Sequence, residues 1–258
     1  MSTVRLVQEG ALVRLELDAP ATGNALSTAL VADLSRAVAE IRGSSARAVV
    51  LMGAGKHFCT GASLDEIAAS ADLPAPERQA DADRLGALYS AWLRLPQLTV
   101  AAVHGAAYGG GAGLAAACDL VVAGPRASFQ FSEVRLGFVP ALIAVFLLRR
   151  LPASRLFQLF ADPRPLTAEE AVALGLADEV ADEPQARAAA WAQAVTAKAA
   201  PSAVAATKRL LLDLTLPHLD EQLARAAHLN AAQRAHPECR RGVAHFLARR
   251  TFPDWSGS

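Results

Sequence analysis

The stretch Leu98-Thr99-Val100-Ala101-Ala102-Val103-His104-Gly105-Ala106-Ala107-Tyr108-Gly109-Gly110-Gly111-Ala112-Gly113-Leu114-Ala115-Ala116-Ala117-Cys118 decides the fold. Leu98 to Val103 is a short, almost continuous apolar run, the pattern of a strand covered on both faces. It empties into the glycine-rich segment His104 to Gly113 and then into a helix of small residues ending near Cys118. Glycine adds unfolded-state entropy that folding must overcome, so a run of it between a strand and a helix needs a reason. Gly109-Gly110-Gly111 at a helix start bring backbone N–H groups close to a ligand, with the positive end of the helix dipole behind them. An anion, or an oxygen that becomes anionic in a transition state, fits there.

The same pattern recurs outward from this stretch. Ala48-Val49-Val50-Leu51-Met52 is another buried run, ending in the turn Gly53-Ala54-Gly55-Lys56, and Asp119 to Ala123 is a third. After the first of these, Thr60-Gly61-Ala62-Ser63 offers a second set of free N–H groups ahead of a short helix at Leu64 to Ile67. Two such turns predict a two-donor oxyanion hole. Strand, crossover helix, strand repeated three times predicts an α/β architecture with parallel pairing. Upstream, Val4 to Val7 and Leu12 to Leu17 alternate around Glu9-Gly10 as a hairpin. Ser27 then caps a helix running to about Ile41 and ended by Gly43. The segment Ala69 to Pro76 reads as a loop, and a helix from about Glu77 to Leu95 follows it. From Glu183 the chain reads as almost wholly helical, with Pro201, Pro217 and Pro237 marking first turns. The expected division is a core at 1–190 and a helical packing or oligomerisation region at 191–258.

The 258 residues hold 25 Lys+Arg against 25 Asp+Glu. That neutrality, with no block of like charge, excludes a nucleic-acid or anionic-membrane surface as the basis of function. Hydrophobic content is 53%, but 59 residues are Ala. The longest strongly apolar stretch, Phe138 to Leu148, is broken by Pro140 and is shorter than the ~18 residues a spanning helix needs. No basic-then-apolar leader is visible, and Cys59, Cys118 and Cys239 are scattered without a C-x-x-C pair, so a reducing cytoplasm is expected. His57 and His104 lie near the two turns without metal-ligand spacing, and no metal is expected. Cys59 reads as a packed thiol, and Asp119 as a brace for its strand. A rival reading exists in Gly111-x-Gly113-x-x-Ala116, which fits a loose dinucleotide fingerprint with Glu133 twenty residues beyond Gly113. Five residues already separate Val103 from Gly109, the first of the glycine run, which counts against it.

Beyond these patterns, the sequence resembles the enoyl-CoA hydratase/isomerase, or crotonase, superfamily. The matching segments are Asn24-Ala25-Leu26, Gly53 to Leu64, Ala102 to Gly111, Ala117 to Leu120, Phe129 to Gly137, Leu166 to Ala171, Gly175 to Asp178 and Phe246 to Pro253. They lie in family order along nearly the whole chain. The resemblance implies a crotonase-like spiral of ββα units with a C-terminal helical trimerisation region, assembled as a homotrimer or hexamer. It implies an acyl-CoA thioester as substrate, with coenzyme A part of that substrate and no separate cofactor. The thioester oxygen would be held by the N–H groups of Ala62 and Gly110. Thr22, Gly23, Ala25, Thr60, Ser63, Leu64, Tyr108 and Gly109 would line the CoA and acyl path, and Phe246 would cover the adenine of a neighbouring subunit.

Hydratases of this superfamily generally use two glutamates to handle one water. Glu133 matches the second, in Phe129-x-x-x-Glu133-x-x-x-Gly137. The first would stand three residues after Gly110, where this chain has Gly113. An ordinary Glu, with a pKa of ~4.3, is a weak proton donor at neutral pH, so Glu133 needs an apolar surround, which Phe129, Phe131, Leu136 and Phe138 can supply. A glycine at that point also resembles 3-methylglutaconyl-CoA hydratases. Hydration is the first expectation, and double-bond isomerisation by Glu133 alone the second. A non-catalytic acyl-CoA-binding homologue is the third. Acyl-chain selection is expected from Ala69 to Leu95 and from Phe138 to Leu148.

Overall fold

The computed structural model describes residues 2–256. The hairpin is β1 (Val4–Glu9) and β2 (Leu12–Leu17), paired antiparallel, and α1 (Thr28–Gly43) follows. The Ser27 hydroxyl accepts a hydrogen bond from the Leu30 N–H and caps α1. Next come β3 (Ala48–Gly53), α2 (Leu64–Ser70), α3 (Ala75–Leu93), β4 (Leu98–Val103), β5 (Ala106–Tyr108), α4 (Gly110–Ala116) and β6 (Leu120–Ala123). The order continues with β7 (Ser128–Gln130), α5 (Ala141–Leu147), α6 (Ala153–Ala161), β8 (Leu166–Thr167), α7 (Ala168–Leu174) and β9 (Glu179–Val180). Four helices close the chain: α8 (Pro184–Lys198), α9 (Pro201–Thr215), α10 (Leu219–Arg234) and α11 (Pro237–Arg249). Among the described residues no helix is long and apolar enough to cross a membrane.

A six-stranded sheet runs β1-β2-β3-β4-β6-β9, parallel beyond the first pair, and a second sheet runs β5-β7-β8. Strand periodicity explains why β3 and β4 are apolar throughout. Ala48, Val50, Met52, Val100 and Ala102 face α8 and pack on Ala188, Ala189 and Ala192. Val49, Leu51, Ala101 and Val103 point to the other side, into the main core with α1 and α3. A division of the chain at residue 190 therefore falls inside α8, whose alanines cover the sheet as one face.

Two sequence expectations change here, and one is filled in. The loop is confined to residues 71–74, because α2 continues to Ser70 and Pro74 starts α3 early. The side chain of Arg240 then holds the short connection, pairing with Asp72 and donating to the Ala71 carbonyl. Pro201 and Pro237 do open α9 and α11, but Pro217 lies ahead of α10, which begins at Leu219. Asp119 stands just before β6 and accepts from the Thr99 N–H and hydroxyl while pairing with Lys208 of α9 at 2.7 Å. It ties the C-terminal helices to the strand that leads into the glycine segment.

Candidate active site

The two turns named above meet through backbone contact. Gly61 adopts φ +92, and a Cβ there would stand 2.7 Å from the Tyr108 carbonyl oxygen and 3.6 Å from the Gly110 nitrogen. No side chain fits that contact, so the glycine lets the segment carrying Ala62 lie against the start of α4. The Leu26 N–H donates to the Gly61 carbonyl and the Tyr108 N–H to the Cys59 carbonyl, which fixes both turns in register. Gly110 is the first residue of α4, where an N–H has no intrahelical acceptor. Neither the Ala62 nor the Gly110 N–H has a backbone acceptor among the described residues.

Asn24 holds this arrangement from behind. It is fully buried at φ +57; its Oδ1 accepts from the Ala19 N–H and its Nδ2 reaches the carbonyls of Ala54, His57 and Phe58. The two histidines do similar work: His57 Nδ1 accepts from the Ala106 N–H and His104 Nε2 contacts the Gly55 carbonyl. Cys59 is completely buried, and burial pushes its thiol up to about 12, which leaves it inert as a nucleophile.

In front of the turns lies a pocket of about 640 Å³. The structure brings Thr22, Ala25, Thr60, Ala62, Ser63, Leu64, Tyr108, Gly109, Gly110, Glu133 and Phe246 together on its walls. Gly23 is the exception. It closes the 3-10 turn Pro20–Thr22 at φ +66, and a Cβ there would press to 2.8 Å on Thr60 Cγ2, so it shapes the turn behind Thr60 and does not face the pocket. Phe246 packs on Phe252 and faces the pocket of its own chain, because α11 docks on α2 through Cys239, Val243 and Ile67.

Glu133 begins a 3-10 turn, Glu133–Leu136, that follows β7. As a residue it is half-buried, yet its Oε2 is sealed from solvent and has no hydrogen-bond partner. Burial pushes the carboxyl up to about 7 from an ordinary value of 4.5. A buried carboxylate without a cation disfavours its charged form, and here that puts the group near half-ionised at neutral pH. Its Oε1 would lie 2.8 Å from a Cβ at Gly109, a residue held at φ +49. The missing side chain at Gly109 therefore leaves room for the carboxyl beside the start of α4.

The glycines of the dinucleotide pattern do other work. A Cβ at Gly111 would meet the Cys59 carbonyl oxygen at 2.2 Å, and one at Gly113 would meet Ile143 Cγ2 at 2.3 Å. Both are buried inside α4 and present no free loop to a pyrophosphate. Side chains that the sequence reading grouped only by region now have names. Leu85 and Tyr89 come from α3, Leu142 and Ile143 from α5, and Asn230 from α10. The Tyr89 hydroxyl donates to the Gly110 carbonyl at 2.9 Å. No short-range signal marks Asn230, because α10 meets α3 only after more than a hundred residues of chain.

The profile of the enoyl-CoA hydratase/isomerase family matches residues 8–258. The chain belongs to that family. A Thermus thermophilus protein assigned as an enoyl-CoA hydratase is 37% identical over 247 residues, 95% of this chain and 97% of the relative. Among solved structures, an enoyl-CoA hydratase from Bacillus halodurans superimposes with a TM-score of 0.88 at 27% identity, covering 94% of this chain and 99% of its own. One from Mycobacterium avium gives 0.86 at 30% identity, covering 99% and 100%. The crotonase-superfamily fold follows, and the ββα order of β1 to α1 and the two sheets are this family member's version of it.

Proposed function

We propose that this crotonase-superfamily member is an enoyl-CoA hydratase that adds water across a 2,3-double bond, with Glu133 as its single acid–base group. The observation that carries the reading is a carboxyl with one sealed, unpartnered oxygen lining the same pocket as two N–H groups that have no backbone acceptor. When a thioester carbonyl takes up charge as an enolate, Ala62 and Gly110 offer donors that are already oriented, and one such donor is worth roughly 3–4 kcal/mol in comparable sites. Glu133, near half-ionised at pH 7, takes a proton from water as carboxylate and returns it to carbon as acid. Thr22, Ala25, Thr60, Ser63, Leu64, Tyr108 and Gly109 line the thioester's approach, Gly23 shapes that wall from behind, and Phe246 covers part of the opening.

One observation favours a second reading. Ile143 fills the space beside Gly113 where a second carboxylate would project, so water has only one group to orient it. Proton transfer between carbons needs no second group, which makes double-bond isomerisation by Glu133 the runner-up. Mass spectrometry of products from a panel of enoyl-CoA esters in heavy water separates the two. Gain of one water with deuterium on carbon supports hydration, and deuterium exchange with no gain of water supports isomerisation. Binding without any product would leave an acyl-CoA-binding protein.

A homotrimer or hexamer is part of the same proposal. Leu210, Leu211 and Leu214 on α9 and Phe157 on α6 are exposed, Phe157 by 73%, and subunit packing would cover them. Light scattering on the purified chain measures this directly.

A further inference from the structure

The wall of the pocket built by α3, α5 and α10 is apolar apart from the Tyr89 hydroxyl, which is spent on the Gly110 carbonyl, and Asn230. Asn230 is 6% exposed, and Arg234, also 6% exposed, donates from Nε to its Oδ1 at 3.1 Å. Arginine has no acceptor, so the side-chain oxygen must face Arg234 and the amide nitrogen must face away. Arg234 is itself fixed by an ion pair with Asp81 of α3. The amide orientation is thereby locked from behind by a charged pair. No described residue accepts a hydrogen bond from Asn230 Nδ2, although Asn230 lines the pocket. The amide thus presents two donors to the pocket with no protein acceptor, and a ligand that displaces water there must supply an acceptor or leave them unpaired at a cost.

Resting on the acyl-CoA reading of this pocket, we propose that Asn230 is a specificity residue whose amide donates to a neutral oxygen, ketone or hydroxyl, carried on the substrate's acyl chain. The occupant is neutral because the charged side chains among the described lining residues are Asp65, Glu133 and Arg250. Arg250 ends α11 and belongs to the α2–α11 side, and Arg234 does not line the pocket, its charge being matched by Asp81. A carboxylate placed against Asn230 would therefore be buried with no facing cation, which is unfavourable. A plain hydrocarbon chain would leave the two donors unpaired.

The test is calorimetric binding of saturated acyl-CoA esters, which do not react. Chains bearing a ketone at successive carbons are compared with the plain chain of equal length and with a carboxylate-ended chain. The wild-type protein is expected to bind the best-placed ketone about tenfold more tightly than the plain chain. Asn230→Asp keeps an acceptor for Arg234 but removes both donors, so the ketone preference should fall to one or below, while a hydroxyl chain, which can itself donate, keeps its advantage. Asn230→Leu should reverse the preference in favour of the plain chain, and thermal melting reports whether each variant is folded. No ketone preference in the wild type, a preference for the carboxylate-ended chain, or a preference that survives Asn230→Asp overturns the inference. If no ester binds, the acyl-CoA reading of the pocket falls with it. If esters bind with this selectivity but no enoyl ester is turned over, the catalytic reading fails and the role of Asn230 stands.

Discussion

Gly109 and Gly113 sit four residues apart in one small helix and its cap, and in sequence they look interchangeable. At Gly109 the absent side chain makes room for a carboxyl oxygen, at Gly113 for a branched hydrocarbon from α5. The first glycine exposes chemistry and the second closes the core. Glycine-rich helix starts thus have a rim, where missing Cβ atoms admit a functional group, and an interior, where they admit packing.

The sharpest way to break this contrast is to remove the group that gives the rim its role. Glu133→Gln is expected to lower turnover about 10³-fold, within the usual range for a general acid–base group, while CoA-ester binding measured by calorimetry persists. Undiminished turnover would overturn the assignment. The same variant tests the electrostatics. Burial raises the carboxyl from 4.5 to about 7, so its ionisation opposes folding. Stability tied to this group is greatest below about pH 4.5, falls as the pH rises to about 7, and is flat beyond it. Glu133→Gln should therefore be more stable than wild type above pH 7, by about 1–2 kcal/mol in denaturant titrations, with no gain near pH 4.

Next in size is Gly109→Ala. The position has φ +49 and faces the Glu133 carboxyl, so a methyl there displaces that carboxyl, and turnover should fall about 10- to 100-fold. A smaller effect comes from pH alone. With Glu133 acting first as a base, kcat/KM should rise through about pH 7, the ionised fraction climbing from about a tenth at pH 6 to about nine-tenths at pH 8. A flat profile between pH 6 and 8 would mean that the carboxyl is not the base.

Gly113→Ala sharpens the other half of the comparison. Overpacking against Ile143 should cost about 1–3 kcal/mol, seen as a fall in Tm, with the turnover of folded protein changed far less than in Gly109→Ala. Ile143→Ala in the same chain should restore part of the loss, a coupling that a double-mutant cycle reads directly. Additive costs would show that the two residues do not share the space.

The strands, the Ser27 cap and the parallel α/β class were legible because each depends on residues close in sequence: apolar runs, a capping hydroxyl, glycines between strand and helix. Glu133 was legible only through the family resemblance, which places it in Phe129-x-x-x-Glu133-x-x-x-Gly137, and its apolar surround through the neighbouring aromatics. The short 71–74 connection was not, since Arg240 fixes it from α11, more than 160 residues away in sequence. The family resemblance implies Gly23 as a binding residue through the turn Ala21-Thr22-Gly23, and only the packing of Thr60 against it puts it behind the wall.

By itself, then, the sequence determined which segments are strands and where glycine turns leave backbone N–H groups free, because periodicity and chain stiffness are local properties; the carboxylate near them was marked by the family resemblance. Tertiary structure decided what each glycine makes room for, why Glu133 Oε2 has no partner, and how Arg234 and Asp81 turn the Asn230 amide. Those outcomes rest on hydrogen bonds and steric contacts between residues that meet only when α3, α5, α10 and the glycine turns are packed together, and their energies have no counterpart in the extended chain.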